Sequence, residues 1–184
     1  FVEPLIVETL RAPQSPHHHA EGPFVEDHLC LALASLFAVL EEKLHLIDIE
    51  EFRRMKGFEG EFDELEETIK ENSALLEAFI FCHDAAKWSC VFFDAPNGSR
   101  GHNLGFAMDP SLQREELATS ERAKFRQRYL ELYDAFAAEH PNEPASEVQA
   151  KFFLAYEIEV QYPGHDRAVH SPVYRSLLRR VASA

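Results

Sequence analysis

Between Val25 and Glu42 the apolar residues Leu29, Leu33, Leu36 and Leu40 recur at steps of three and four, with Ala32, Ala34 and Ala38 between them. That spacing is the period of an α-helix. The stretch is apolar around much of its circumference, which predicts a central helix. Glu26 and Asp27 add negative charge in its first turn, where the helix dipole favours it. A second strong helix is predicted over Ser73 to Trp88, with Leu75, Leu76, Phe79, Ile80 and Cys82 apolar. Glu115 to Glu139 reads as a long helix with Phe125, Tyr129, Leu130, Leu132, Tyr133 and Phe136 on its apolar side, broken by Pro141 and Pro144. Another helix follows from Ser146 to Gln161, with Ser146 as its N-cap, and Tyr162-Pro163-Gly164 stops it. The last helix starts near Pro172 and runs to the end of the chain.

The remaining segments lack this periodicity. Pro4, Pro13, Pro16 and Pro23 punctuate the first 23 residues, so an arm is expected there, its first ten residues either a short helix or extended. From Leu46 to Asn72 the chain carries Asp48, Glu50, Glu51, Glu59, Glu61, Asp63, Glu64, Glu66 and Glu67 around a weak stripe of Ile47, Ile49, Phe52 and Met55. This is a surface helical segment or an acidic insertion, and its acids are expected to form a solvated face rather than a binding site. Ala95 to Gly101 is a loop by its chemistry. No repeat and no linker divides the chain. The expected fold is therefore all-α: one helical domain over 1–184, with 1–23 as an N-terminal arm and 46–72 as an acidic insertion.

Composition narrows the function classes. The 184 residues are 46% hydrophobic and 27% charged, with only 7 glycines against 15 phenylalanines, which favours long packed elements in a globular protein. A net charge of −14 argues against nucleic acid as the main partner, because that binding depends on Lys and Arg neutralising phosphates. An acidic protein can still bind a small phosphate ester if a metal supplies local positive charge. Cys30, Cys82 and Cys90 form no CxxC pair, so a reducing, cytoplasmic setting without a disulfide framework is expected. No stretch reaches the roughly 18 consecutive apolar residues of a membrane span, and the N-terminus has no signal-peptide pattern. The chain starts at Phe1 rather than Met, which reads either as a trimmed chain or as the ordered part of a longer protein. Homo-oligomerisation stays open.

The chemistry is concentrated at Cys82-His83-Asp84-Ala85-Ala86-Lys87. The apolar run Ala78-Phe79-Ile80-Phe81 delivers a histidine and an aspartate into what should be protein interior. An uncompensated buried carboxylate costs several kcal/mol. A divalent metal compensates it economically, since neutral imidazole and ionised carboxylate are ligands in their ordinary states at pH 7. Ten histidines is a high count for this length. His28 lies on the first core helix in line with Leu31, Ala32 and Ser35. Two apolar helices each delivering a histidine inward are natural walls of a metal site in a bundle. Lys87 lies one turn past His83 and can project toward the same rim. His165 and His170 read either as surface residues or as contacts. His17, His18, His45 and His140 read as solvent-facing. Trp88 and Val91-Phe92-Phe93 read as core.

Four pieces in order resemble the HD-domain superfamily of metal-dependent phosphohydrolases. They are the lead-in His19-Ala20-Glu21-Gly22, the helical His28, the doublet His83-Asp84 with Lys87 after it, and Gly101-His102-Asn103-Leu104-Gly105. Together they span residues 17 to 107. The resemblance requires the acidic segment 46–72 to be an insertion between His28 and His83. It also requires a late aspartate to close the site. Asp166, just after a helix break and beside a second His-Asp pair, is preferred over Asp134, which lies among aromatics on a helix, and a residue beyond Ala184 stays open.

The resemblance implies a helical bundle of the HD type and one or two divalent transition-metal ions, Mn, Fe, Co, Ni or Zn. His28, His83, Asp84 and Asp166 would hold the metal, with His102 and His165 as further ligands if a second ion binds. Lys87 and His102 would position the phosphate, Glu21 would support a ligand histidine or the substrate, and Asp84 would orient the water. The implied reaction is hydrolysis of a nucleotide or other small phosphate ester by a metal-bound hydroxide. Two other outcomes are compatible with the resemblance: an HD-type di-iron oxygenase, and a non-catalytic HD-like module that binds a ligand.

Overall fold

The computed structural model describes residues 4–50, 54, 61–94, 119–168 and 170–183, and their regular structure is almost all helical. In chain order the helices are α1 (Pro4–Leu10), α2 (Val25–Leu40), α3 (Phe62–Glu71), α4 (Ser73–His83), α5 (Lys87–Cys90), α6 (Thr119–Ala138), α7 (Ala145–Tyr156), α8 (His165–Ala168) and α9 (Pro172–Ala182). A 3-10 turn covers Leu46–Asp48. The all-α expectation misses one feature. Two short strands, β1 (Phe92–Asp94) and β2 (Glu159–Gln161), pair antiparallel with Phe93 opposite Val160. None of the described helices is long and apolar enough to cross a membrane.

Two predicted helices end early, and each end has a local cause. The run from Ser73 does not continue to Trp88. α4 stops at His83, Asp84 takes φ −100° and ψ 0°, and the chain turns through Ala85 and Ala86 before α5. Asp favours such helix ends because its short polar side chain competes with the helical backbone. α7 ends at Tyr156, not Gln161, because Glu157 adopts the left-handed conformation at φ 50°. Ile158 and Val160 then enter the core, Val160 from the strand, where β-branched side chains fit well. At the other end of α7 the cap position belongs to Pro144, and Ser146 lies inside the helix.

The central helix is α4 rather than α2. α4 packs against both α2 and α9 and also meets α3. α2 buries Val25, Leu29, Leu36 and Val39 but leaves Leu31 and Phe37 exposed. Its apolar circumference is thus only partly covered, by α1, α3 and α4. The largest core cluster is aromatic. It joins Phe125, Tyr129 and Tyr133 of α6 to Phe152 and Phe153 of α7, with Phe24 and Phe93. Val91, Phe92 and Phe93 are fully buried, as expected of a core segment.

The segment between α1 and α2 is held as an ordered strap. Pro13 and Phe24 form an isolated antiparallel bridge, and the Gln14 N–H donates to the Pro23 carbonyl at 2.9 Å. Gln149, fully buried on α7, donates from Nε2 to the Gln14 carbonyl at 2.6 Å and to the Pro23 carbonyl at 2.8 Å. The Tyr162 hydroxyl donates to the Pro13 carbonyl. Replacing Gln149 by Leu removes both bonds and takes from the buried Gln14 carbonyl its side-chain donor, while Pro23 keeps the Gln14 N–H. Gln149→Leu is expected to lower stability by about 1–3 kcal/mol, measured by urea unfolding with an unchanged m-value.

Most acids of the 46–72 segment that are described face solvent, Asp63, Glu64 and Glu67 among them, but Glu66 does not. Its Oε1 accepts the Leu46 N–H at 2.6 Å, and its Oε2 faces His45 Nδ1 at 3.2 Å. The Leu46 bond is the main reason that its carboxyl is held below the ordinary value of 4.5, against the opposing pull of burial. Glu66 therefore stabilises the fold fully above pH 4.5, and this contribution is lost as pH falls through the lower folded value. Glu66→Ala is expected to cost about 1–3 kcal/mol at pH 7. In parallel denaturant titrations the gap between variant and wild type should narrow as pH drops below 4.5.

Candidate metal centre

The end of α4 explains the doublet's geometry. The last carbonyls of a helix lack intrahelical donors. His83 satisfies one of them itself: its Nδ1 donates to the Ile80 carbonyl at 2.7 Å. A proton on Nδ1 leaves Nε2 as a lone pair in the neutral ring. His28, one turn into α2, is set the same way by a different partner. Its Nδ1 lies 2.9 Å from Glu21 Oε1, and a carboxylate accepts, so its Nε2 also carries the lone pair. The two Nε2 atoms face each other at 3.4 Å. Asp84 Oδ2 lies 3.4 Å from the same His83 Nε2.

Three electron-rich atoms therefore converge on one point. Asp84 is 4% exposed, so water does little to solvate its charge. Lys87 Nζ approaches Asp84 Oδ2 to 2.8 Å, yet too obliquely for a hydrogen bond, and Oδ2 has no hydrogen-bond donor. Such an arrangement fits a cation. His28, His83 and Asp84 bring ligand atoms within 4.8 Å of one another, and so do His19, Glu21 and His28. These are the two groupings of this kind among the described residues. Mixed imidazole and carboxylate donors suit Mn, Fe, Co, Ni or Zn.

The strap supplies the outer layer. Glu21 Oε1 takes both His19 Nδ1 at 2.8 Å and His28 Nδ1 at 2.9 Å. Burial alone would raise the Glu21 carboxyl, but hydrogen bonds from His19, from its own backbone and from His28 outweigh it and hold the carboxyl below the ordinary range. A carboxylate behind a ligand imidazole fixes its tautomer and orientation. Gly22 is needed beside it, because a Cβ there would lie 2.3 Å from Asp27 Cγ. Asp27 in turn accepts the Phe24 N–H at 3.0 Å and closes the start of α2, the helix that carries His28.

Behind the doublet, Lys87 is 7% exposed. Its Nζ faces Asp84, lies 3.5 Å from Gln14 Oε1 and sits 5.5 Å from the centre of the Tyr162 ring. Lys87 thus does not reach the solvent rim. It positions and partly neutralises Asp84 from the interior side. Thr9 Oγ1 donates to the Ala85 carbonyl at 2.8 Å and fixes the turn that separates Asp84 from Lys87.

A cleft of about 410 Å³ opens on the other side of His83 and Asp84. His165, His170 and Arg175 line it, as do Phe79, Tyr174 and Leu178. His165 is oriented by its Nδ1, which donates to the Tyr162 carbonyl at 2.8 Å. It belongs to the cleft wall and to neither of the ligand groupings. Asp166 is on α8, beside His165, and its side chain lies outside the described residues, as does His102 entirely. Asp134 is not a core-facing acid: its carboxylate is exposed and pairs with Arg11 at 2.9 Å, because its stretch of α6 turns toward the strap and solvent. His45 binds Glu66, and His140 donates to the Phe136 carbonyl at 2.8 Å and stacks on the Phe136 ring.

Sequence reasoning assigned no role to Gln14, Tyr174 or Arg175, and named His19 only within the lead-in His19-Ala20-Glu21-Gly22. The His-x-Glu-Gly lead-in was the signal for His19, which the structure sets against Glu21. The others have no local signature. Comparison with known protein families, with characterised proteins and with solved structures gives no match.

A transition metal near one equivalent per chain is expected on elemental analysis of untagged protein, and its loss in the His83→Ala/Asp84→Ala variant. Glu21→Gln should keep the ligands but weaken metal affinity by about 10- to 100-fold, read by competition with a chelating dye. Unchanged affinity would leave Glu21 without a role at the metal.

Proposed function

We propose that this protein is a metal-dependent phosphohydrolase of the HD type, acting on a small phosphate ester. The observation that carries this reading is the convergence of the His28 and His83 Nε2 lone pairs with the donor-less Asp84 Oδ2 at the edge of a cleft. His28, His83 and Asp84 would hold the metal, with Asp166, the late aspartate next to cleft residue His165, as the closing ligand. A divalent ion bound there would polarise a phosphoryl oxygen and acidify water.

The chain's own residues do the rest. Glu21 and the Ile80 carbonyl keep protons on the two Nδ1 atoms, so both Nε2 atoms stay available. Lys87, held between Asp84 and Gln14, positions the Asp84 carboxylate beside the cleft. Arg175 supplies fixed positive charge in a chain that is otherwise strongly acidic, and its planar fork matches phosphate oxygens. His102 retains the phosphate-positioning role that the family resemblance implies.

A second reading has one observation in its favour. His19, Glu21 and His28 form a further ligand grouping next to the first, and extra histidines are what an HD-type di-iron oxygenase would require. Assay of the purified protein with Mn, Co, Ni or Zn against a panel of phosphomonoesters separates the two. Turnover that falls at least 100-fold in Asp84→Asn supports the hydrolase. No turnover with any metal, together with two iron atoms per chain, would replace it with the oxygenase.

A further inference from the structure

The cleft beside the doublet has two unlike halves, and together they describe a ligand. Phe79, on α4 one turn before His83, is 54% exposed and stacks on the His83 ring at 5.5 Å with an interplanar angle of 22°. Leu178 and Tyr174 face the same space from α9. A lone exposed aromatic is unremarkable on a protein surface. This one borders the cleft directly beside the candidate ligand histidine.

The polar half is cationic. Arg175, on α9, lines the cleft with His165 and His170. No acid among the described residues pairs with Arg175. The surrounding chain is unlike the rest of the protein. Residues 165–184 contain Arg167, Arg175, Arg179 and Arg180 against Asp166 alone, +4 and −1, a net of +3 in a chain whose total is −14. A local positive field beside a low-dielectric wall concentrates anions. The volume of about 410 Å³ is at the lower end of the roughly 300–1,000 Å³ of small-molecule sites. A compact ligand fits.

We propose that the cleft binds a phosphate monoester with a flat aromatic or similarly apolar body, its anion held by Arg175 beside the His83–Asp84 doublet and its body laid against Phe79 and Leu178. Polyhydroxylated sugar phosphates, which need several hydrogen bonds for the body, are disfavoured by the same walls. This deepens the hydrolase reading by naming the substrate class, and rests on it only for the term substrate.

The test is calorimetric titration of the purified protein with two ligands that cannot be hydrolysed, phenylphosphonate and methylphosphonate. Phenylphosphonate should bind at least tenfold more tightly. Phe79→Ala should abolish that preference without weakening methylphosphonate. Arg175→Ala should weaken both by tenfold or more. Both side chains are exposed, so matching thermal melts should show that the variants fold. Equal binding of the two ligands, or an Arg175→Ala variant that binds like wild type, overturns the proposal. Phenyl phosphate turnover with added metal is measured alongside. The expected binding pattern without turnover upholds the cleft assignment and removes the hydrolase. Turnover without phenyl preference does the reverse.

Discussion

The Asp84 carboxylate is buried where α4 ends, with one cation behind it and no hydrogen-bond donor on Oδ2. Everything near it is arranged around that charge. Burying a carboxylate costs several kcal/mol, and an oblique ion pair with Lys87 offsets only part of this. The two histidines that face Asp84 make matters worse, because their partners hold each ring in the tautomer that points a lone pair inward. A metal ion bound among the three groups would compensate them further. Lys87 pairs with the Asp84 carboxylate at depth, where lysines usually snorkel to solvent.

The elements around the doublet can be understood as its supports. The strap from Ala12 to Phe24 must run in register, since it carries Glu21 to His28 and Gln14 to Lys87. Short backbone bonds, Gln149 and Tyr162 hold it there. The strap's far anchor is thus α7 and the segment after β2, well over a hundred residues along the chain. Misplacing α7 would shift the carboxylate that fixes the His28 tautomer. In this sense the aromatic core of α6 and α7 and the candidate metal centre form one mechanical unit, although they share no residue.

The cleft is built on a division of charge. Acids crowd the described surface of α3, while arginines gather on α9. α4 lies against both helices. Arg175 of α9 and the apolar side chains of Phe79 and Leu178 border the same cleft.

Much of this was legible in the amino-acid sequence. The periodic apolar stripes located the helical segments, because burial of one face is enforced at every turn. The doublet stood out because a carboxylate after Phe79-Ile80-Phe81 contradicts that pattern. His28 was within reach because the doublet called for a facing histidine on another apolar helix, and Glu21 only through the lead-in of the family resemblance. Tertiary structure alone decided the rest. The β1–β2 pairing joins segments 67 residues apart in register, Phe92 to Gln161 through Asp94 to Glu159, and no local preference encodes such a partner. Asp134 looked inward by composition and proved to face Arg11. Lys87 looked like a rim cation and proved to be a buried counter-ion. Arg175 became part of the cleft only because α9 packs on α4. Local sequence determines which residues are able to ligate and which must be buried. Which lone pairs meet depends on contacts between distant segments, and those are fixed by packing.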